Sequence, residues 1–267
     1  TVKPLPPPPG LSLVSLQVLF RHGDRLPTGP GQCWPNDTPF NCSWVVQDRA
    51  VTPDMLTSPV NRIHSKIYDA RGPHGNTFPG SCAAGQLTSI GYQQHLANGR
   101  ALRQYYVDDL QFLPTQFNPS QIYIRSTDVP RTIQSAQSML QGLYPNKSNQ
   151  YVDIHTVDQY TEVMVPNGAC LNTAQYDHQF QESALFKAQY QSTLEPLQSQ
   201  LQTLVNNPHL SLIGAMDCML AHVCHDLPLP AGVTPSLVEQ ALHAEEWVFY
   251  QNYMYPSNQT YLRLGIG

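Results

Sequence analysis

Phe20-Arg21-His22-Gly23-Asp24-Arg25-Leu26-Pro27 is the stretch whose reading decides the fold of this chain. It follows an apolar run, residues 11–20, that predicts a buried strand. Gly23 breaks the run and lets the backbone turn. Two guanidinium groups, on Arg21 and Arg25, flank the imidazole of His22. Arginine stays charged near neutral pH, and its planar fork fits phosphate oxygens. Both cations disfavour protonation of His22, so its ring is expected to be neutral. A neutral imidazole beside a bound phosphate dianion is a nucleophile aimed at phosphorus. The plainer alternative is a basic strand end whose charges face water, since short motifs are often chance matches.

Working outward, residues 121–127 (Q-I-Y-I-R-S-T) alternate and are rich in β-formers, which predicts a second strand ending near Arg125. Residues 129–144 carry Ile133, Ala136, Leu140 and Leu143 at helical spacing, and Pro145 ends the helix. Residues 151–157 form a third strand candidate. Residues 87–106 predict a helix, in which Gly91 and Gly99 each cost about 1 kcal/mol of helix propensity against alanine. Both glycines make sense if that helix packs closely on a sheet. Strand-helix alternation of this kind implies a parallel sheet with right-handed crossovers. Ligands bind at the carboxyl ends of such strands. Arg21, His22, Arg25 and Arg125 all fall at such ends.

From Asp177 onward the pattern is helical, and Thr234-Pro235 is a helix start, an N-cap followed by proline. The expected fold class is therefore α/β: three layers, a parallel-type sheet flanked by helices, with a helical cap insertion. The expected divisions are a proline-rich segment at 1–10, the first part of the α/β catalytic core at 11–165, the helical cap at 166–255, and a return to the core at 256–267. The 1–10 segment suits a stiff polyproline II stalk from a membrane tether or an unstructured start. Residues 28–85 read as loops with short helical pieces, pinned by Cys33, Cys42 and Cys82. A loop of that length is usually functional, and it is expected to wall the site.

Composition narrows the class. The 267 residues suit one elaborate domain or a domain with an insertion. Charged residues make up 12%, against a usual share of about 25%, and the formal net charge is −5. Nothing there suits nucleic acid. No apolar run is long enough to cross a bilayer. Six cysteines, Cys33, Cys42, Cys82, Cys170, Cys218 and Cys224, are compatible with three disulfides in any of about 15 pairings. Sequons at Asn36, Asn41, Asn146 and Asn258 are expected glycosylation sites. Together they predict the secretory pathway, whether lysosomal, Golgi-lumenal or extracellular. The chain starts at Thr1 with no signal peptide, so a processed form is expected. Cys218, His222, Cys224 and His225 resemble a metal-ligand cluster, but their spacing fits no common zinc motif. No metal and no cofactor is expected.

These motifs resemble the histidine acid phosphatases. R-H-G-D-R-x-P matches that family's signature, and I-Y-I-R-S-T-D-V-P-R-T-I-x-S-A (122–136) and L-T-x-x-G-x-x-Q-H-x-x-x-G-x-x-L-R-x-x-Y (87–106) match two further blocks in order. The 87–106 block and the 218–225 segment (C-M-L-A-H-V-C-H) resemble the 2-phosphoxylose phosphatase-like branch. The resemblance implies an acid phosphomonoesterase with a phosphohistidine intermediate at His22. It implies that Arg21, Arg25 and Arg125 bind phosphate and that the Gly23 carbonyl sets the His22 tautomer. Arg131 reads as structural, and Asp24 need not touch phosphate.

One departure concerns the family's second catalytic motif, a His-Asp pair after a later strand. The one His-Asp here, His225-Asp226, ends a helical stretch. The expectation is that the C-terminal part of the catalytic domain is missing from this chain, and that a second chain or fragment supplies the pair. The alternatives are a phytase acting on inositol polyphosphates and a non-catalytic phosphate-binding member.

Overall fold

The computed structural model describes residues 8–29, 33–40, 82–145, 152–158, 161–164 and 173–255. Most of the 28–85 loop, three of the four sequons and the 256–267 return therefore lie outside the described residues. The chain forms two compact units. One takes residues 1–25, 42–69 and 86–156, and the other takes residues 26–41, 70–85 and 157–267.

The first unit is built on two helices, α1 (Ser89–Leu102) and α2 (Pro130–Leu143). Thr88 caps α1 by accepting from the Gly91 N–H at 3.2 Å. Pro130 opens α2, where its missing N–H costs nothing. The two helices cross on glycine. A Cβ on Gly99 would stand 2.0 Å from the Met139 carbonyl oxygen, and one on Gly142 would stand 2.3 Å from that of Leu96. Gly99 therefore serves helix-on-helix contact, and not the helix-on-sheet contact expected from sequence. A π-helical turn, Arg103–Asp109, extends α1, and Arg103 ties it to the end of α2 by donating to the Leu143 carbonyl at 2.9 Å.

The predicted strands are reduced to fragments. Residues 11–20 form no ladder among the described residues, and Val14 and Leu19 are 87% and 91% exposed. An extended segment becomes a strand only when a neighbour takes its backbone hydrogen bonds, and none does so here among the described residues. The second and third candidates do meet, in parallel, at the single bridge Arg125–His155. Ser126 N–H donates to the His155 carbonyl and His155 N–H to that of Ile124, each at 2.9 Å. The parallel register is as expected, over far fewer residues.

The second unit is helical from residue 173: α3 (Thr173–Gln181), α4 (Ala184–Gln189), a π-helical turn (Tyr190–Leu194), α5 (Glu195–Leu204), α6 (Leu212–Cys224) and α7 (Pro235–Met254). Thr234 caps α7 by accepting from Leu237 N–H at 3.2 Å, as its Thr-Pro start predicts. Leu197, Leu201, Met219 and Ala241 pack inward, and Phe180 gathers Phe186, Trp247 and Tyr255 around its ring.

A disulfide, Cys33–Cys218, staples α6 to the 33–40 segment. It closes a separation of 185 residues, which removes much chain entropy from the unfolded state. Beside it lies a buried polar pair. The His222 Nε2 sits 2.7 Å from an Asp37 carboxylate oxygen, and its Nδ1 sits 2.8 Å from the Cys218 carbonyl. Trp34 covers the ring at 4.4 Å and Phe40 meets it edge-on at 5.2 Å. Cys218 and His222 are thus engaged in structure, which removes them from the metal-ligand alternative. Breaking a buried, hydrogen-bonded pair on one side leaves the other side unsatisfied. Asp37→Ala is therefore expected to lower the unfolding free energy by about 3 kcal/mol in denaturant titrations. An unchanged midpoint would contradict this role.

Candidate active site

The R-H-G-D segment is held by one face of α1. Thr88 N–H donates to the Asp24 carbonyl at 3.0 Å, and the Thr88 hydroxyl donates to the Asp24 carboxylate. Arg25 and Leu87 form an antiparallel bridge beside them. One turn along, Gly91 admits the loop: a Cβ on Gly23 would stand 2.4 Å from the Gly91 carbonyl oxygen. A further turn along, the Gln94 side-chain oxygen accepts from Asp24 N–H at 2.9 Å. The His95 ring is buried and lies 4.9 Å from the Phe20 ring. Positions three and four apart share a helical face, so Thr88, Gly91, Gln94 and His95 all meet the 20–24 segment.

The start of α2 holds the loop from a second direction. Gly23 N–H donates to the Ser135 hydroxyl at 3.2 Å, and that hydroxyl donates to the Arg131 carbonyl at 2.7 Å. Ser135 is fully buried.

His22 itself is half-buried, and its Nδ1 lies 2.8 Å from the Gly23 carbonyl. A carbonyl only accepts, so the proton sits on Nδ1 and the Nε2 lone pair is left for chemistry. The His22 pKa is lowered to about 4, first by burial, against the opposing Gly23 hydrogen bond, and then by Arg131, Arg21 and Arg25 in that order. Two expectations are corrected here. Burial outweighs the flanking cations in keeping the ring neutral. Arg131, read from sequence as structural, acts on His22 more strongly than either arginine of the motif.

The sign of the shift fixes a pH dependence. The folded value lies below the unfolded one, so the neutral ring's contribution to stability is complete above about pH 6.5. It is lost as pH falls through about 4. A histidine-resolved NMR titration is expected to find the His22 midpoint near 4. A midpoint at or above 6.5 would contradict the burial.

The other predicted positions sort as follows. Arg21 is exposed, while Arg25 and Arg125 are partly buried. Arg125 is placed by its backbone, at the parallel bridge to His155, whose ring stacks on Tyr123 at 4.6 Å. Asn36 is exposed in a turn with φ of 59°. Asn41, Asn146 and Asn258 lie outside the described residues. His225 ends α6 and Asp226 follows with φ of 54°, a helix-end context as the sequence indicates. Among the described residues no His, Cys, Asp and Glu cluster is arranged to hold a metal ion, and no helix is long and apolar enough to cross a membrane.

Sequence reasoning passed over Thr88, Gln94, His95 and Ser135 as functional positions. The signal was present in L-T-x-x-G-x-x-Q-H: small and polar residues repeat at the spacing where a helix meeting an apolar core needs large apolar ones.

The chain is similar to known proteins. The chain is 34% identical to counting factor 60 of Dictyostelium discoideum over 92% of its own length and 61% of that protein's. It is 30% identical to lysophosphatidic acid phosphatase type 6 of Bos taurus over 82% of its own length and 51% of that protein's. The chain thus spans about half to three fifths of these relatives. Among solved structures, Hafnia alvei phytase in complex with tartrate superposes with a TM-score of 0.50 at 15% identity, over 85% of this chain and 58% of that one. That likeness concerns the fold alone. The family model for branch 2 of the histidine phosphatases matches residues 12–219, a span that holds R-H-G-D-R-x-P, the helix that cradles it and the helix that carries Arg131. With His22 oriented by its own loop and that loop gripped by both helices, this chain belongs to the histidine phosphatase superfamily, branch 2.

Proposed function

We propose that this chain carries the nucleophilic part of an acid phosphomonoesterase that works through a phosphohistidine on His22. The observation that carries the reading is the 2.8 Å contact between His22 Nδ1 and the Gly23 carbonyl, which leaves Nε2 as the free lone pair on a ring that stays neutral in mild acid. In the first displacement Nε2 forms a bond to phosphorus, the ester P–O bond breaks, and the leaving oxygen takes a proton from an acid. In the second, a water oxygen attacks phosphorus, the P–N bond breaks back onto the imidazole, and the water proton returns to the conjugate base. Inorganic phosphate leaves.

Arg21, Arg25 and Arg125 bind the phosphoryl oxygens in this reading, and Arg131 joins them through its influence on His22. Preorganised cations of this kind stabilise the charge that gathers in the transition state. In this reading the acid is neither of two described candidates. Asp24 is engaged by Thr88, and His225-Asp226 sits at a helix end. A His-Asp pair on a further segment or second chain, as the family resemblance implies, would supply it, and positioned acid catalysis contributes on the order of 10² to 10⁴ in rate. The substrate is a small phosphorylated molecule. A polyanion such as an inositol polyphosphate would favour a more basic chain than one with 14 Lys and Arg against 19 Asp and Glu. A stapled, sequon-bearing chain fits the oxidising secretory route.

The test is partitioning. With p-nitrophenyl phosphate and added ethylene glycol, the protein from its natural source is expected to release more nitrophenol than inorganic phosphate, because the intermediate transfers to the alcohol. Equal release at every glycol concentration would contradict a covalent intermediate.

A further inference from the structure

We propose that Gln94 is a positioning residue for phosphoryl transfer: its side-chain oxygen fixes the peptide plane whose carbonyl orients the His22 ring. The inference rests on the reading of His22 as the nucleophile and deepens it with a residue that acts on the ring through the backbone.

The peptide unit that joins Gly23 to Asp24 has both of its polar ends engaged. The Gly23 carbonyl lies 2.8 Å from His22 Nδ1, and the Asp24 N–H donates to Gln94 Oε1 at 2.9 Å. A trans peptide is planar, and its C=O and N–H point in opposite directions. A bond on one end therefore sets the direction of the other. Gln94 holds the plane from the end away from the His22 ring. The same bond makes the Gly23 carbonyl a better acceptor, because hydrogen bonds in a chain polarise one another. Gln94 is itself placed by α1, three residues after the Gly91 on which Gly23 packs.

The neighbouring bonds leave this plane to Gln94. The peptide before it is fixed at Gly23 N–H by the buried Ser135 hydroxyl, at 3.2 Å. The peptide after it is fixed at the Asp24 carbonyl by Thr88 N–H, at 3.0 Å. Neither bond grips the peptide between them. Gly23 also has to stay a glycine, because a Cβ there would stand 2.4 Å from the Gly91 carbonyl oxygen. A glycine at one end of a peptide leaves its rotation cheap. Without Gln94, the Gly23 carbonyl and the His22 ring orient only each other. The plane can then rock, and the Nδ1 proton loses its fixed acceptor. Part of the population then carries the proton on Nε2, which leaves no lone pair there for phosphorus. A role in merely anchoring the loop does not predict that change in the ring.

The experiment uses the complete protein, labelled with ¹⁵N, and compares Gln94→Met, Gln94→Glu and Gln94→Asn with wild type. Methionine keeps the length and the helix propensity and lacks the acceptor. Glutamate keeps an acceptor oxygen at the same reach, and asparagine is one carbon short. The His22 tautomer is read from its ring ¹⁵N shifts near neutral pH. Single-turnover phosphoryl transfer from p-nitrophenyl phosphate and thermal unfolding are followed beside it. Gln94 is exposed, so each variant is expected to fold. Wild type is expected to show the Nδ1–H tautomer. Gln94→Met is expected to show a mixture of tautomers and to transfer about fivefold more slowly, and Gln94→Glu to recover most of both. Wild-type transfer in Gln94→Met overturns the proposal, as does slower transfer with the tautomer unchanged, or a Gln94→Glu no better than Gln94→Met. If Gln94→Met does not fold, the comparison rests on the other two variants: glutamate like wild type and asparagine mixed and slower supports the proposal, and equal behaviour overturns it. His22→Ala is run alongside. Full activity there overturns the nucleophile reading itself, whereas an inactive His22→Ala with an unaffected Gln94→Met overturns only the role of Gln94.

Discussion

His22→Ala is expected to lower kcat on phosphate monoesters by at least about a thousandfold, because it deletes the atom that forms the bond to phosphorus. The same substitution is expected to leave the fold intact and to make it more tolerant of acid. The reason lies in the sign of the shift already described. His22 is held neutral to about pH 4, whereas an unfolded imidazole takes up its proton near 6.5. In the window between, protons favour the unfolded state, and removing the ring removes that pull. Loss of turnover together with a higher unfolding temperature at pH 5 separates a missing nucleophile from a damaged fold. Near-normal turnover in His22→Ala would contradict the assignment.

Gly91→Ala sets two physical effects against each other. Gly91 stands inside α1, where alanine is favoured over glycine by about 1 kcal/mol. Propensity alone therefore predicts a more stable protein. Packing predicts the reverse. A Cβ there would stand 2.3 Å from the Asp24 carbonyl oxygen and 2.6 Å from the Asp24 nitrogen. Both are backbone atoms, so no side chain can rotate out of the way. The R-H-G-D loop must retreat by about an ångström, the usual scale for relieving such a contact, and a shift of that size at a reacting group costs on the order of a hundredfold in rate. Gly91→Ala is expected to lose about 1–3 kcal/mol of stability and about a hundredfold in kcat. A stabilised, active variant would mean that the loop and α1 do not meet as described.

Much of this site was legible in the sequence, and the parts that were not have physical reasons. R-H-G-D-R-L-P identifies itself because its chemistry is local: a ring, a carbonyl one residue on and nearby cations. The helices α1, α2 and α7 follow from periodicity, and α7 also from its Thr234-Pro235 start. Arg131 was undervalued because its effect on His22 depends on how α2 is brought to the loop through Ser135, which no spacing reveals. Gly91 and Gly99 looked alike in sequence, yet one faces a loop and the other a helix. His95 hid among ten histidines because sequence does not show that its ring is buried against Phe20. The Cys33–Cys218 pairing and the Asp37–His222 contact join residues 185 apart, which sequence alone cannot select. The strands were overestimated because residues 11–20 have the composition of a buried strand, while a ladder depends on a neighbour that composition does not specify.

The 87–106 and 218–225 segments suggested the 2-phosphoxylose branch. In the structure the first cradles the R-H-G-D loop, and the second carries a disulfide and the Asp37–His222 contact.

The central claim is that His22 receives the phosphoryl group. It is tested most directly by rapid alkaline quenching of the protein during turnover of a ³²P-labelled monoester, followed by peptide mapping of the bound label. The account predicts an acid-labile, base-stable phosphate on the peptide that contains His22, absent from His22→Ala. No bound label under conditions of active turnover, or label on a different residue, would contradict it.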